Sequence, residues 1–282
     1  MKGEFCMSDQ HTLNGNVLSA PALRLLQERN AADQRAVASV RQAAAQLCTQ
    51  ADEYGLPSDP AARSVYLSLA ETCFALQYRT ACASELLCYE AGAERPDAAA
   101  DLCRMLRHFV NQADLLTDGA LQIGTCEIPH GLYALLPPER LRFVLLHLLM
   151  SALAEQPDAN TMDLTAECVQ NDLRLELVLR HDPEAETLLR KEILPAEDGL
   201  LLPDAPELLT ERFCACYDVR ILRQSAAEKS VCVLTLPAAR AQNPLVKVSS
   251  DSAEFHDDTL FSAFLSQQFP TERLLTALAE LS

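Results

Sequence analysis

Long apolar runs are missing from this chain. No stretch of about 18 consecutive apolar residues occurs, so no membrane-spanning helix is expected. The opening residues, MKGEFCMSDQHTLNGN, lack the apolar core of a secretory signal, and the expected compartment is the cytoplasm. Positive charge is scarce: 23 Lys and Arg stand against 40 Asp and Glu, giving a net charge of −17. Nucleic-acid binding draws most of its affinity from cations on phosphates, and no basic stripe exists to supply them. Anionic membranes repel a chain of this sign. A C-x-x-C pair is also absent. Eleven cysteines are scattered, and the two nearest in sequence, Cys214 and Cys216, would point to different faces of a helix. No metal site is therefore expected. Cys73, Cys168 and Cys232 fall at apolar positions and are expected as buried, reduced thiols.

What is present suffices for a core. Of 282 residues, 49% are hydrophobic and 22% charged, and the length suits about two domains. The most organised stretch is ERLRFVLLHLLMSALAEQP (139–157). Pro137 and Pro138 precede it, where proline suits a helix start, and Pro157 ends it. Leu141, Val144, Leu145, Leu148, Leu149 and Ala152 recur at the spacing of one buried helical face. TMDLTAECV (161–169) then alternates with Met162, Leu164, Ala166 and Cys168 on one side. LRLELVL (173–179) does the same with Leu173, Leu175, Leu177 and Leu179, after a turn at Asn171-Asp172.

A helix carrying R-L-x-x-V-L-x-x-L-L-x-x-A, a Pro, and two alternating strands resembles the nucleotide-binding domain of sensor histidine kinases. That family's helix carries Asn-Leu-Leu-x-Asn-Ala, and the second Asn holds the magnesium bridging the ATP phosphates. His147 and Ser151 occupy the two Asn positions here. The resemblance covers roughly residues 30–237. DLCRMLRHFV (101–110) is similar to the family's first ATPase-domain helix, and LQIGTCEIP (121–129) to the strand after it. LLTERFCACYDVRILRQSAAEKSVCVLTLP (208–237) is similar to its last helix, a strand around Val219–Arg223, a turn at AAEK and a closing strand. Cys232, Leu234 and Leu236 share one side of that closing strand.

Upstream, Pro21 to Tyr54 is rich in helix formers. Val37, Val40, Ala44, Leu47, Ala51 and Tyr54 form a heptad-like seam. YGLPSDP (54–60) reads as a turn. A second helix runs from about Ala61 to Ala91, with Val65, Leu69, Cys73, Leu76, Ala83 and Leu87 inward, closed by Gly92. One hairpin buries both stripes poorly alone, so two are expected to pair as a four-helix bundle in a homodimer. The family's dimerisation hairpin likewise precedes its ATPase domain, and its first helix carries an exposed phospho-acceptor His. Sliding that pattern onto ASVRQAAAQLCTQ (38–50) puts Gln42 at or near the acceptor. No His lies between Pro21 and Ala91, and Gln has no comparable nucleophilic nitrogen.

Past the second strand the family has an Asp-x-Gly turn that reads adenine, then Gly-rich segments closing over phosphates. Asp182 stands in for the Asp, but Pro183 follows it. Gly199, in GLLLP (199–203), is the next Gly, and one Gly gives little backbone cradling. His147, Ser151, Asp182 and Gly199 are thus the expected vestiges of a nucleotide pocket, with no catalytic residue and no metal ligand. Ser151 is a poor substitute for an amide that orders magnesium, and reads as a small residue in the pocket wall. His147 reads as a locally hydrogen-bonded helix residue, and His108 as structural. His181-Asp182 is an acid–base couple only with a third partner, and a turn alone explains Asp there. The run EAETLLRKE (184–192) reads as solvated. In the tail, Leu260, Phe261, Phe264 and Leu265 line one helical face, and Thr271 caps a second short helix. The tail is expected to fold back on its own domain.

The expected fold class is α+β: a helical hairpin forming a dimeric four-helix bundle, then an α/β-sandwich ATPase-like domain. The expected boundaries are a loose 1–20, the hairpin 21–95, the ATPase-like domain 96–240 and an amphipathic tail 241–282. The expected function is that of a degenerate histidine-kinase-like signalling protein without autophosphorylation or a sensory segment. It would bind a response-regulator-like or kinase partner, with no required cofactor. The alternative is a divergent but active ATP- and magnesium-dependent histidine kinase or phosphotransferase using Asp182 and another His. A third is a pocket for some other small molecule.

Overall fold

The computed structural model describes residues 20–53, 68, 72, 76, 79–92, 96, 98–116, 121–184, 205–226, 228–239 and 247–248. The expected turn at 54–60, most of the second helix before residue 79, Gly199 with the lid-like stretch, and the tail beyond residue 248 lie outside them.

Helix α1 (Ala20–Glu53) occupies nearly the span read from the sequence. Its Leu25, Leu26 and Val40 are exposed, Val37 is half-buried, and Gln42 faces solvent. A second helix, α2, is described over 79–90. It ends as expected at Gly92, whose φ of 82° is left-handed and whose N–H donates to Tyr89 O at 3.1 Å.

The remainder is a mixed sheet under helices. Strand β1 (Ala98–Asp101) leads into α3 (Leu102–Leu116), where the Asp101 carboxylate accepts from the Cys103 N–H at 2.9 Å as a cap. Then come β2 (Gln122–Glu127), β3 (Tyr133–Ala134), α4 (Pro138–Glu155), β4 (Thr161–Val169), β5 (Asp172–Arg180), α5 (Ala205–Tyr217), β6 (Arg220–Ala226), β7 (Lys229–Pro237) and β8 (Lys247–Val248). The main sheet runs β2-β4-β5-β7-β6, with β2 parallel to β4 and the other pairs antiparallel. A small sheet, β3-β1-β8, ties residues 247–248, within the stretch read as tail, to the start of the domain.

Period-2 alternation sets the faces of the main sheet. Met162, Leu164 and Ala166 of β4, the four leucines of β5, and Cys232, Leu234 and Leu236 of β7 are all buried toward the helices. Helix α4 packs on this face between α3 and α5. Its six expected apolar residues are buried, and so are Arg142, Phe143, Leu146, His147 and Leu153. The helix is thus buried around most of its circumference, because neighbours cover it on three sides.

Three expectations need correction. Cys168 is exposed rather than buried. The pairing of β2 with β4 stops at Thr165, so the last residues of β4 have no strand on their outer side. The hairpin turn is Gln170-Asn171, with Gln170 at φ 59°, and β5 begins at Asp172. The helix read as 101–110 continues to Leu116.

β2 bends where its register shifts between Ile123 and Cys126. There the Thr125 N–H, freed from the ladder, donates to Asp163 Oδ1 at 2.5 Å. Asp163 Oδ2 accepts from Arg180 Nε at 3.0 Å. A Cβ at Gly124 would collide with both of these side chains, so Gly is required by space.

α2 meets the sheet domain through apolar and charged side chains: Cys82 lies in the core, and Leu86 and Tyr89 pack against it. Arg140, at the start of α4, pairs with Glu85 of α2 at 3.2 Å and donates from Nη1 to Tyr217 Oη of α5 at 2.6 Å. Its guanidinium also lies 5.0 Å from the Tyr89 ring centre. Arg212 of α5 pairs with Glu90 at 3.0 Å.

Candidate functional site

His147 and Ser151 lie one turn apart on α4 and so share a face. Arg223 comes from β6. Its register partner is Cys232, whose own neighbour on β5 is Leu177, so Arg223 is in a helix-facing row. Its Nη1 donates to Ser151 Oγ at 3.3 Å. Cys214 of α5 and Cys232 of β7 complete the corner, and both thiols respond to the Arg223 charge.

Burial decides the chemistry of these groups. His147 Nδ1 is 2.9 Å from Phe143 O. A carbonyl only accepts, so Nδ1 carries the proton. Burial lowers the imidazole pKa to about 4; the Phe143 bond opposes the shift and Arg223 adds to it. The ring is therefore neutral at pH 7 and stacks obliquely near Phe143, centroids 4.7 Å apart. Burial also pushes the Cys214 and Cys232 thiols to about 11, with Arg223 opposing and Glu211 or Glu155 reinforcing. Both remain S–H at pH 7 and are poor nucleophiles.

Asp182 is engaged elsewhere. Its Oδ1 accepts from the Glu184 N–H at 3.0 Å, an Asx turn. Arg180 Nη1 lies 3.7 Å from Oδ2. Its backbone is clamped by Asn160: Nδ2 donates to Asp182 O at 2.8 Å, and Oδ1 accepts from the Asp182 N–H at 2.8 Å. His181 turns away, its Nδ1 on Asp158 O at 2.8 Å. His181 and Asp182 thus face different partners. A cleft of about 420 Å³ opens beside them, lined by Arg180, His181, Ala226, Glu228 and Lys229. His108, on α3, is felt by Glu139 of α4. Gly199 lies outside the described residues.

The structure therefore brings His147 and Ser151 together and gives Asp182 a separate set of partners. Arg223 and Asn160 went unread in the sequence. Arg223 had a signal: in VRILRQS it sits at the inward parity of the strand while Leu222, 55% exposed, sits outward. Asn160 had none, since a lone Asn before a strand reads as a turn residue.

Magnesium does not fit this corner. It demands near-octahedral oxygen ligands, with one or two carboxylates. The site offers a neutral hydroxyl and a guanidinium that repels any cation placed beside it. Among the described residues, no three His, Cys, Asp or Glu are grouped to hold a metal. No described helix is long and apolar enough to cross a membrane.

No family model matches the chain, and no curated protein does. Solved structures do. The histidine kinase AdeS of Acinetobacter baumannii matches with 15% identity and a TM-score of 0.44, covering 68% of this chain and 92% of that one. Full-length ShkA, in complex with AMPPNP, matches with 16% identity and a TM-score of 0.45, covering 70% and 46%. The mycobacterial sensor histidine kinase MprB matches with 9% identity and a TM-score of 0.38, covering 51% and 99%. The chain is similar to these kinases, each at low identity.

Proposed function

We propose that this protein is a degenerate histidine-kinase-like signalling module, a pseudokinase of two-component-type signal transduction that does not autophosphorylate. The observation that carries this reading is the Arg223–Ser151 hydrogen bond at 3.3 Å. It puts a fixed positive charge at the position where the sequence resemblance expects a metal-holding Asn. The acceptor helix supports the same reading: no His lies between Pro21 and Ala91, and Gln42 is on the exposed side of α1. His147 offers no substitute acceptor, because its ring is buried and not presented to a phosphoryl donor in solution.

On this reading residues 21–95 are a dimerisation hairpin, 96–240 the ATPase-like domain and 241–282 an appended tail. The exposed Leu25, Leu26 and Val40 favour a second copy against α1, in a homodimeric bundle. The bundle then docks a response regulator or kinase in the cytoplasm, and neither ATP nor magnesium is required. The test is phosphate transfer from γ-labelled ATP with magnesium, using the full chain. No label on the chain, or on added response regulators, is expected. Label that disappears on changing one histidine contradicts the proposal and points to an active phosphotransferase.

A further inference from the structure

We propose that the outer edge of β6 docks an acidic, extended segment of a partner protein, which adds to the main sheet as one more strand. This surface is separate from the corner at His147 and Ser151.

The two edges of the main sheet differ. β2, at one edge, is interrupted by its register shift between Ile123 and Cys126. Such an irregularity blunts an edge against further pairing. β6, at the other edge, pairs with β7 without a break from Arg220 to Ala226. It has seven residues and no Pro, and every residue but Ile221 is exposed. An antiparallel edge strand turns the N–H and C=O of every second residue outward. β6 therefore presents a regular row of backbone groups that a further strand can pair with.

The side chains along this edge select the partner. On the outer face of the sheet, Leu222 is 55% exposed and has Val233 beside it on β7. An added strand would set an apolar residue against Leu222. Ala226, Lys229 and Arg180 form one row across β6, β7 and β5, and all three line the cleft of about 420 Å³. Neighbouring strands lie about 4.8 Å apart. Ala226 has no side chain beyond Cβ, so Lys229 can reach over it to an acid on the added strand. On the helix-facing side Arg223 stands between Ile221 and Ser225. β6 and β7 hold Arg220, Arg223 and Lys229 and no Asp or Glu. Charges are screened beyond about 8 Å at physiological salt, so this local excess outweighs distant acids of the chain.

An antiparallel partner, read from Ala226 toward Arg220, thus needs an acid at its position i for Lys229. It needs a second acid at i+3 beside Arg223, and an apolar residue at i+4 beside Leu222. A second copy of this chain fits poorly. Antiparallel pairing of two β6 strands about their centre sets Arg223 against Arg223, and like charges directly opposite destabilise a sheet.

The test titrates the full chain into a synthetic peptide, Glu-Thr-Val-Glu-Val-Thr-Val, carrying an N-terminal fluorescein and a C-terminal amide. Fluorescence anisotropy is expected to show saturable binding, and hydrogen exchange to show slowed amides within 220–226. Replacing both Glu by Lys is expected to weaken binding about tenfold or more. Two further peptides are N-methylated at opposite alternate sets of residues. One loses the hydrogen bonds to β6 and is expected to stop binding; the other is methylated on its solvent edge and is expected to bind. Arg223→Glu is expected to reverse the preference between the Glu and Lys peptides, with circular dichroism showing that it folds. Should it not fold, the methylated pair still tests the parent chain. Three results overturn the proposal: no saturable binding up to millimolar protein, equal binding of the two methylated peptides, or binding without protection of 220–226. Slow exchange of 220–226 in the free chain that is lost on dilution identifies a second copy on this edge and also overturns it. None of these outcomes bears on phosphate transfer, so the pseudokinase reading is tested separately.

Discussion

His147 shows what burial does to a single titratable side chain. Its Nδ1 proton is spent on Phe143 O, and burial holds the ring neutral. The folded pKa is about 4 and the ordinary value 6.5, so the unfolded chain binds more protons between those values. His147 therefore contributes stability that is fully present above pH 6.5 and falls as the pH drops toward 4. The loss is of the order of 3 kcal/mol across that window. Urea unfolding at pH 7 and pH 4.5 measures it against His147→Gln, which is expected to lose less stability on acidification. The difference between the two proteins isolates His147 from Glu85 and Glu139, whose pKa values are raised chiefly by burial and which act in the opposite sense. Equal pH slopes would show that the imidazole is already solvated in the folded protein.

Elements carry most of what the sequence reveals. Helix α4 was legible because its apolar spacing, the two prolines before it and Pro157 after it all agree. The β4–β5 and β6–β7 strands were legible because alternation assigns each side chain to a face. Where the reading missed, the cause lay in partners distant in sequence. Cys168 is exposed because β2 stops short, and Arg142 is buried because three elements surround α4. The small β3-β1-β8 sheet was invisible because strands of two to four residues carry no period. The candidate site was half legible: His147 and Ser151 follow from the helix, but Arg223 enters from a strand seventy-two residues on. The bulge in β2 makes a sharp prediction. Gly124→Ala must displace the Asp163–Arg180 pair, which also receives the Thr125 N–H. A loss of about 1–3 kcal/mol is expected in urea unfolding, the usual result of breaking a partly buried polar network. A variant as stable as the parent would show that the strand relaxes freely there.

At the scale of the whole molecule, Arg140 is one of the connections between α2 and the sheet domain, beside the apolar contacts of Cys82 and Leu86. It meets Glu85 and Tyr89 on α2, and Tyr217 on α5. Its side chain is 17% exposed and that of Glu85 27%, so solvent screens the pair only partly. Arg140→Ala leaves the Glu85 carboxylate without its cation, and about 1–3 kcal/mol of stability should be lost. A double-mutant cycle with Glu85→Gln is expected to give a coupling energy of about 1 kcal/mol. Additive losses would mean that the Arg140–Glu85 pair does not help to hold α2. The Arg212–Glu90 pair is more exposed and is expected to contribute little.

The central claim is that the corner formed by His147, Ser151 and Arg223 does not hold magnesium. It is tested most directly by the affinity for ATP, measured by calorimetry on the full chain with and without magnesium. Magnesium is predicted not to tighten any ATP binding, since this corner offers it a neutral hydroxyl and a like charge instead of a carboxylate. A marked tightening by magnesium would contradict the account, because it would place a divalent cation beside Ser151 after all.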